Sequence, residues 1–278
     1  FLRDPEAGEF AHRVSEFDIR GRFNVPRSPQ GRPVVFQAGD SDQGREFAAS
    51  GADAIFTRHG TFDAGRAFYA DVKGRLATYG RRPEELLILP AATFVLGDTQ
   101  EEAEERSRHI RRQQVSGPTA IRFAERVWNR DLSDHDPDGP LPEGEPQLDA
   151  EPIVRGRTDS STIDKRAVAA HWRAVAEQKK LSLREVVIEV TGRQSFVGTP
   201  QHIARTLDDF VQADACDGFI LAPHLTPGGL DEFADTVVPL LQERGVFRTE
   251  YTGETLRDHL GLPALTPPTR RTRTEAAS

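Results

Sequence analysis

Methionine is missing altogether from the 278-residue sequence, and cysteine occurs once, at Cys216. A chain that opens on Phe1 and holds no Met is expected to be a fragment or processed product rather than a primary translation product. One cysteine excludes an intramolecular disulfide and a cysteine-cluster zinc site. A reducing, cytoplasmic location follows as the default. No apolar run reaches the eighteen or so residues of a membrane span, and the opening FLRDPEAGEF has neither the charged nor the apolar region of a signal peptide. Lysine is scarce too: of 36 basic residues only four are Lys. The net charge is −8 with acid spread throughout, which argues against a nucleic-acid partner, and without a spanning run no membrane partner is expected.

What is present is a strand–helix rhythm. Arg32-Pro33-Val34-Val35-Phe36-Gln37-Ala38 is a short apolar run of the kind buried on both faces of a parallel sheet. Ala54 to Thr57, Leu86 to Leu96 and Asp217 to Ala222 are three more. Each is followed by helical spacing of apolar residues, such as Phe68, Val72 and Leu76, or Ile203, Leu207 and Phe210. Start signals are local: Thr61 or Asp63, Thr99 with Glu102, Ser182 with Glu185, and Thr199 before Pro200. Four parallel strand–helix units make the fold class α/β. They amount to the C-terminal half of a TIM (β/α)8 barrel, whose full form takes about 250 residues. A helical and loop insertion at about 116–195 interrupts the rhythm, with an acidic, proline-rich stretch at 131–152. Residues 1–265 are thus expected to form one partial barrel domain, and 266–278 a disordered tail.

Several places invite chemistry. Gly39-Asp40-Ser41 follows a strand and opens a helix, so its free amides and the Ser41 hydroxyl suit either an anion or a plain helix cap. Arg45, one turn on, is a possible added charge. Strand followed by Gly-Asp-Ser also matches the nucleophile block of GDSL esterases, yet none of the eight histidines has an Asp three positions before it to complete a D-x-x-H base. Asp134, Asp136, Asp138, Gly139 and Glu145 have the spacing of an EF-hand calcium loop. Pro140, Pro142 and Pro146 forbid the helix such a loop needs, so no metal is expected. His59 and His224 follow the second and fourth strands, where barrels place substrate or flavin contacts. Cys216 reads as a small packed side chain, and no catalytic residue stands out.

Taken in order, several segments resemble a known family. They are Asn24-Val25-Pro26-Arg27-Ser28-Pro29-Gln30-Gly31-Arg32-Pro33, then Gln37-Ala38-Gly39 with Ser41, Gly44 and Arg45, and Ala67 to Lys73. Asp138-Gly139-Pro140-Leu141-Pro142, Val197-Gly198-Thr199-Pro200, Pro227 to Phe233, Phe247 to Tyr251 and Leu256 to Pro263 continue the series. Each is weak alone; their order and spacing together resemble the FMN-dependent monooxygenases of the nitrilotriacetate and long-chain alkane type, in the bacterial-luciferase-like superfamily.

The resemblance implies a TIM barrel that takes reduced FMN from a separate reductase and uses O2 to oxidise a small organic substrate. It implies a homodimer in many members. It assigns the FMN phosphate to the loop Gly39, Asp40 and Ser41. The sequence departs from the family in two places. Asp40 stands where a neutral residue is usual, and its carboxylate would repel a phosphate unless turned away. The strands that carry most flavin-ring contacts in the family are also lacking, so this chain alone is expected to be inactive. Two rivals stand beside this reading: a relative using coenzyme F420 for hydride transfer, and a non-catalytic remnant.

Overall fold

The computed structural model describes residues 8–59, 61–148, 164–191 and 195–265. The expected tail at 266–278 and part of the insertion lie outside the described residues.

The first elements are ones the sequence pattern did not announce. β1 (Glu9–Arg13) and β2 (Asp18–Arg22) form an antiparallel hairpin whose ten residues are all exposed. The parallel sheet then begins with β3 (Phe36–Ala38). It runs through α1 (Asp42–Gly51), β4 (Ala54–Thr57), α2 (Phe62–Arg75) and β5 (Leu87–Leu96). After α3 (Gln100–Gln114), the helices α4 (Gly117–Trp128), α5 (Lys165–Lys179) and α6 (Leu183–Val190) intervene. The sheet resumes with β6 (Ser195–Gly198), α7 (Pro200–Gln212), β7 (Ile220–Leu221) and α8 (Asp231–Glu243), and a short α9 (Leu256–His259) follows.

All strand pairs of this sheet are parallel, and β5 is its centre. The amino-terminal part of β5 pairs with β4, Ala91 and Ala92 pair with β7, and Thr93 to Leu96 pair with β6. The four expected strands are therefore β3, β4, β5 and β7. β6 is an addition: its Ser195–Gly198 run is too short to stand out from the loop around it.

One expectation is corrected. The strands are not buried on both faces. Ile55 and Ile88 lie side by side and pack on Ala48, Phe68 and Val72 of α1 and α2. Phe94 and Leu96 pack on Ile203, Leu207, Phe233 and Val237 of α7 and α8. On the opposite face Phe56, Leu89, Ala91 and Ile220 stay partly open, and Phe36 is 47% exposed. Period-two alternation puts successive residues on opposite faces, and the face carrying Ile55, Ile88, Phe94 and Leu96 is the one packed on α1, α2, α7 and α8.

The intervening helices have a core of their own. Ala120, Ala124 and Trp128 of α4 meet Ala169 and Trp172 of α5 and Leu183, Val186 and Val187 of α6. The two indoles lie with ring centres 5.9 Å apart.

Helix starts follow the sequence signals. Ser41, Thr61, Thr99, Ser116, Ser182 and Thr199 each accept an amide hydrogen of the following turn. At Thr99 the expected reciprocal box is shifted by one residue. Glu102 Oε2 accepts from the Asp98 amide at 3.0 Å rather than from that of Thr99.

Buried ion pairs lock the ends. Asp53, at the start of β4, receives Arg32, the Val35 amide and Arg257 of α9, the last at 2.8 Å. Asp217, leading into β7, receives Lys73 at 2.9 Å, Tyr69 at 3.1 Å and the Ile88 amide at 2.7 Å.

Candidate functional site

The turn from β3 into α1 lies at the carboxyl end of the sheet. Ser41 is the N-cap, in extended conformation, and its Oγ accepts from the Gly44 amide at 3.1 Å. The amides of Asp42 and Gln43 open the helix and have no carbonyl four residues back within it. The turn is tight because two residues lack side chains. A Cβ on Gly44 would sit 3.0 Å from the Gly39 carbonyl oxygen, and one on Gly39 would sit 3.3 Å from Gly44 Cα. Ser41 itself is exposed.

Asp40 does not face the helix start with its carboxylate. Its Oδ1 accepts from Thr57 Oγ1 at 2.7 Å, and Thr57, at the end of β4, is 1% exposed. The Asp40 carbonyl accepts from Arg45 Nε at 3.0 Å. Arg45 spends its remaining reach on Asp71 of α2, at 2.8 Å, and stacks over Phe68 with its guanidinium carbon 4.7 Å from the ring centre. Arg45 thus bridges the turn and α2. Asp42 is likewise held, by Arg75 at 2.6 Å.

His59 belongs to the same cluster. It is 6% exposed and packs on Phe68, ring centres 4.8 Å apart. Gly65 lies beside it: a Cβ there would be in ordinary contact with its Cδ2, at 3.6 Å. Its Nε2 is buried without a hydrogen-bond partner. Burial lowers its pKa below the ordinary imidazole value; Asp40 opposes that shift and Arg45 reinforces it.

His224 is in a different place. It follows β7 and lines a cavity of about 420 Å³ between the carboxyl ends of β5 and β7 and helices α3, α4 and α6. Its Nδ1 is also buried and unpartnered. The two histidines share no site: His59 sits with the turn after β3, His224 with the cavity beside the intervening helices.

Other sequence candidates resolve into structural roles. Cys216 is buried, and desolvation pushes its thiol up to about 12. Ser41 bonds its own helix amide rather than a histidine base. In the acidic stretch the carboxylates do not converge. Asp138 faces Arg112 at 3.4 Å and Arg184 at 3.8 Å, while Glu145 pairs with Arg173 at 2.8 Å. Among the described residues no group of three or more His, Cys, Asp or Glu side chains is arranged to hold a metal ion. Nor is any described helix long and apolar enough to cross a membrane. That Thr57, Phe68 and Asp71 belong to this cluster is not readable in the sequence, because nothing local links them to Asp40, Ser41 and Arg45.

Comparison with known proteins bears on this arrangement. The family described as luciferase-like monooxygenase matches residues 6–217. N-acetyl-S-(2-succino)cysteine monooxygenase of Bacillus subtilis (strain 168) is 37% identical over 274 residues, which is 94% of this chain and 59% of that protein. Nitrilotriacetate monooxygenase component A of Aminobacter aminovorans is also 37% identical, over 94% of this chain and 57% of its own length. Among solved structures, EDTA monooxygenase from Chelativorans sp. BNC1 superposes with a TM-score of 0.63 at 32% identity, over 95% of this chain and 60% of that one. The chain spans about three fifths of the length of these relatives.

Proposed function

Because the chain belongs to the luciferase-like monooxygenase family, we propose that it is part of an FMN-dependent monooxygenase, with Gly39, Asp40 and Ser41 holding the FMN phosphate. The observation that carries this reading is the similarity to named monooxygenases along 94% of the chain. Reduced FMN, when bound, supplies the electrons with which O2 is activated toward a small organic substrate. The flavin arrives reduced from a separate reductase, and the protein acts as a homodimer in the cytoplasm. Residues 1–265 form one partial barrel domain, with the helices at about 116–195 as its insertion.

The residues of the turn fit a phosphate. The amides of Asp42 and Gln43 open the helix, where the backbone dipoles favour an anion. The Ser41 oxygen accepts from Gly44 and keeps its own proton to donate to a phosphate oxygen. The repulsion expected from Asp40 is relieved by the Thr57 hydroxyl, which holds the carboxylate. Arg45 and Asp71 fix the turn from behind, so the amides are oriented before a ligand arrives. The rival reading, hydride transfer with F420, has less behind it, since the two relatives at 37% identity are named monooxygenases.

Fluorescence titration of FMN, with Ser41 variants, tests the proposal. Ser41→Ala should weaken FMN by about 1–2 kcal/mol, the scale of one hydrogen bond to a charged group. Ser41→Asp preserves the helix cap but puts a charge against the phosphate; it should abolish FMN binding while leaving thermal stability in place. These titrations are made on the chain continued by its upstream sequence; such protein binding no FMN, or its Ser41→Asp variant binding FMN normally, overturns the assignment.

A further inference from the structure

The β1–β2 hairpin has two unlike faces. Its register sets Phe10 opposite Gly21 and His12 opposite Ile19, and the Phe23 amide donates to the Gly8 carbonyl at 2.8 Å. Residues opposite one another share a face of the pleat. One face therefore carries Phe10, His12, Ile19 and Phe23. It runs on to Val14 and Phe17 at the turn, where the Val14 amide donates to the Phe17 carbonyl at 2.8 Å. The other face is charged, and its charges meet each other: Arg22 pairs with Glu9 at 2.6 Å, and Arg13 with Asp18 at 3.7 Å.

The apolar face is flat. Gly21 has no side chain and Phe10 lies across it, since a Cβ there would fall 2.7 Å from the ring. The Phe10 ring stacks on Phe23, with centres 5.0 Å apart and planes 28° apart. Even so, Phe10, Val14, Phe17, Ile19 and Phe23 are between 38 and 62% exposed. A two-stranded hairpin alone is marginal in water, and a further layer on its apolar face is what stabilises it.

We propose that this face docks on the same face of a second copy of the chain, the two hairpins packing across a twofold axis. The face is apolar apart from His12, so it suits no strongly charged partner. The opposite face satisfies its own charges and can stay in water. A copy matches the face in length, width and twist, and aligned sheets pack about 10 Å apart. The five side chains leave roughly 500 Å² open per copy, so two copies together bury about 1,000 Å², the lower bound of a specific interface. The contact is isologous, so it closes at two copies instead of growing into fibres. The choice of a second copy rests on the homodimer reading above. The hairpin is also remote from the FMN turn in the chain path: Arg32, which follows it, is fixed to Asp53 at the start of β4, whereas the turn lies at the carboxyl end of the sheet.

Ile19→Cys protein, continued by its upstream sequence, tests this. Maleimide labelling of the introduced thiol, read by peptide mass spectrometry, is followed over protein concentration beside sedimentation equilibrium. The thiol should label at least tenfold more slowly in the dimer than in dilute monomer. Phe23→Ser and, at the hairpin tip, Phe17→Ser should each raise the dimer dissociation constant at least tenfold. Arg13→Ala, on the charged face, should leave it unchanged, and FMN affinity should be the same in all of them. A dimer whose thiol labels as fast as the monomer's overturns the proposal and leaves the homodimer standing. Protection of the thiol in protein that sediments as a monomer also overturns it, because the chain's own upstream part then covers the face. Monomer at every concentration removes the homodimer and the hairpin contact together, while FMN titration of the same protein judges the monooxygenase reading separately.

Discussion

Asp40 Oδ1 accepts a hydrogen bond from Thr57 Oγ1 at 2.7 Å, and this contact decides which way the carboxylate at the head of α1 points. The hydroxyl comes from the end of the neighbouring strand, 17 residues away in sequence. An acidic residue is thereby accommodated at a helix start that would otherwise repel an anion.

Two substitutions separate the charge from the contact. Asp40→Asn keeps an oxygen for Thr57 and removes the charge, so FMN should bind a few-fold more tightly. Thr57→Val frees the carboxylate and should weaken FMN; losing the hydrogen bond should also destabilise the fold by about 1 kcal/mol. FMN titrations on the two proteins check this, and equal affinities would mean that the Asp40 charge is not felt at the ligand.

Arg257 and Asp53 form the most deeply buried of the ion pairs described, with side chains 2% and 4% exposed. Burial works to raise the Asp53 pKa, but hydrogen bonds from Arg32, Arg257 and the Val35 amide outweigh it and hold the group below its ordinary 3.8. A depressed folded-state pKa gives stability that is complete above the unfolded value and is lost as pH falls through the folded one. Stability from this group should therefore be intact above about pH 3.8 and decline below it. Arg257→Ala should cost roughly 3 kcal/mol at neutral pH, because it leaves a buried carboxylate half-paired. Urea unfolding at pH 7 measures that loss, and Asp53→Asn protein should show a flatter acid limb.

His59 should impose a dependence at milder pH. Its folded-state pKa lies below the ordinary 6.5 because burial disfavours the imidazolium. As pH falls below about 6.5 the unfolded chain takes up a proton that the native chain refuses. The loss is at most about 1.4 kcal/mol per pH unit until the folded pKa is reached. Replacing His59 by Gln should flatten the unfolding free energy between pH 6.5 and 5 relative to wild type, as followed by chemical denaturation. An unchanged slope would place the ring in water.

Cys216 should be inert in the native protein. With the thiol pushed up to about 12 and buried, an aromatic disulfide reagent at pH 8 should react within minutes only after denaturant is added. Rapid labelling of the folded form would show that β7 opens readily.

Much of the scaffold was legible before any coordinate, and the reason is range. A cap needs only a residue and the amide two or three positions on, so Ser41, Thr61, Ser182 and Thr199 are readable one at a time. Apolar spacing over a single turn gave α2 and α7, and the alternation of strands with helices fixed the class. The hairpin β1–β2 went unseen because its ten exposed residues carry no burial pattern. Burial of the strands was overstated because an apolar run says how hydrophobic a strand is, not how many layers cover it.

What the sequence determined by itself, then, is local: where helices start, which residues form the apolar strands β3, β4, β5 and β7, that these alternate with helices, and that Gly39-Asp40-Ser41 sits at a strand-to-helix turn. What the tertiary structure decided is every contact that depends on register. Asp40 meets Thr57, Tyr69 meets Asp217 across 148 residues, and Arg257 meets Asp53 across 204. No spacing in one segment encodes these meetings. They arise when parallel strands align and helices fold back over them, because only then do side chains from separate units come within hydrogen-bonding distance of one another.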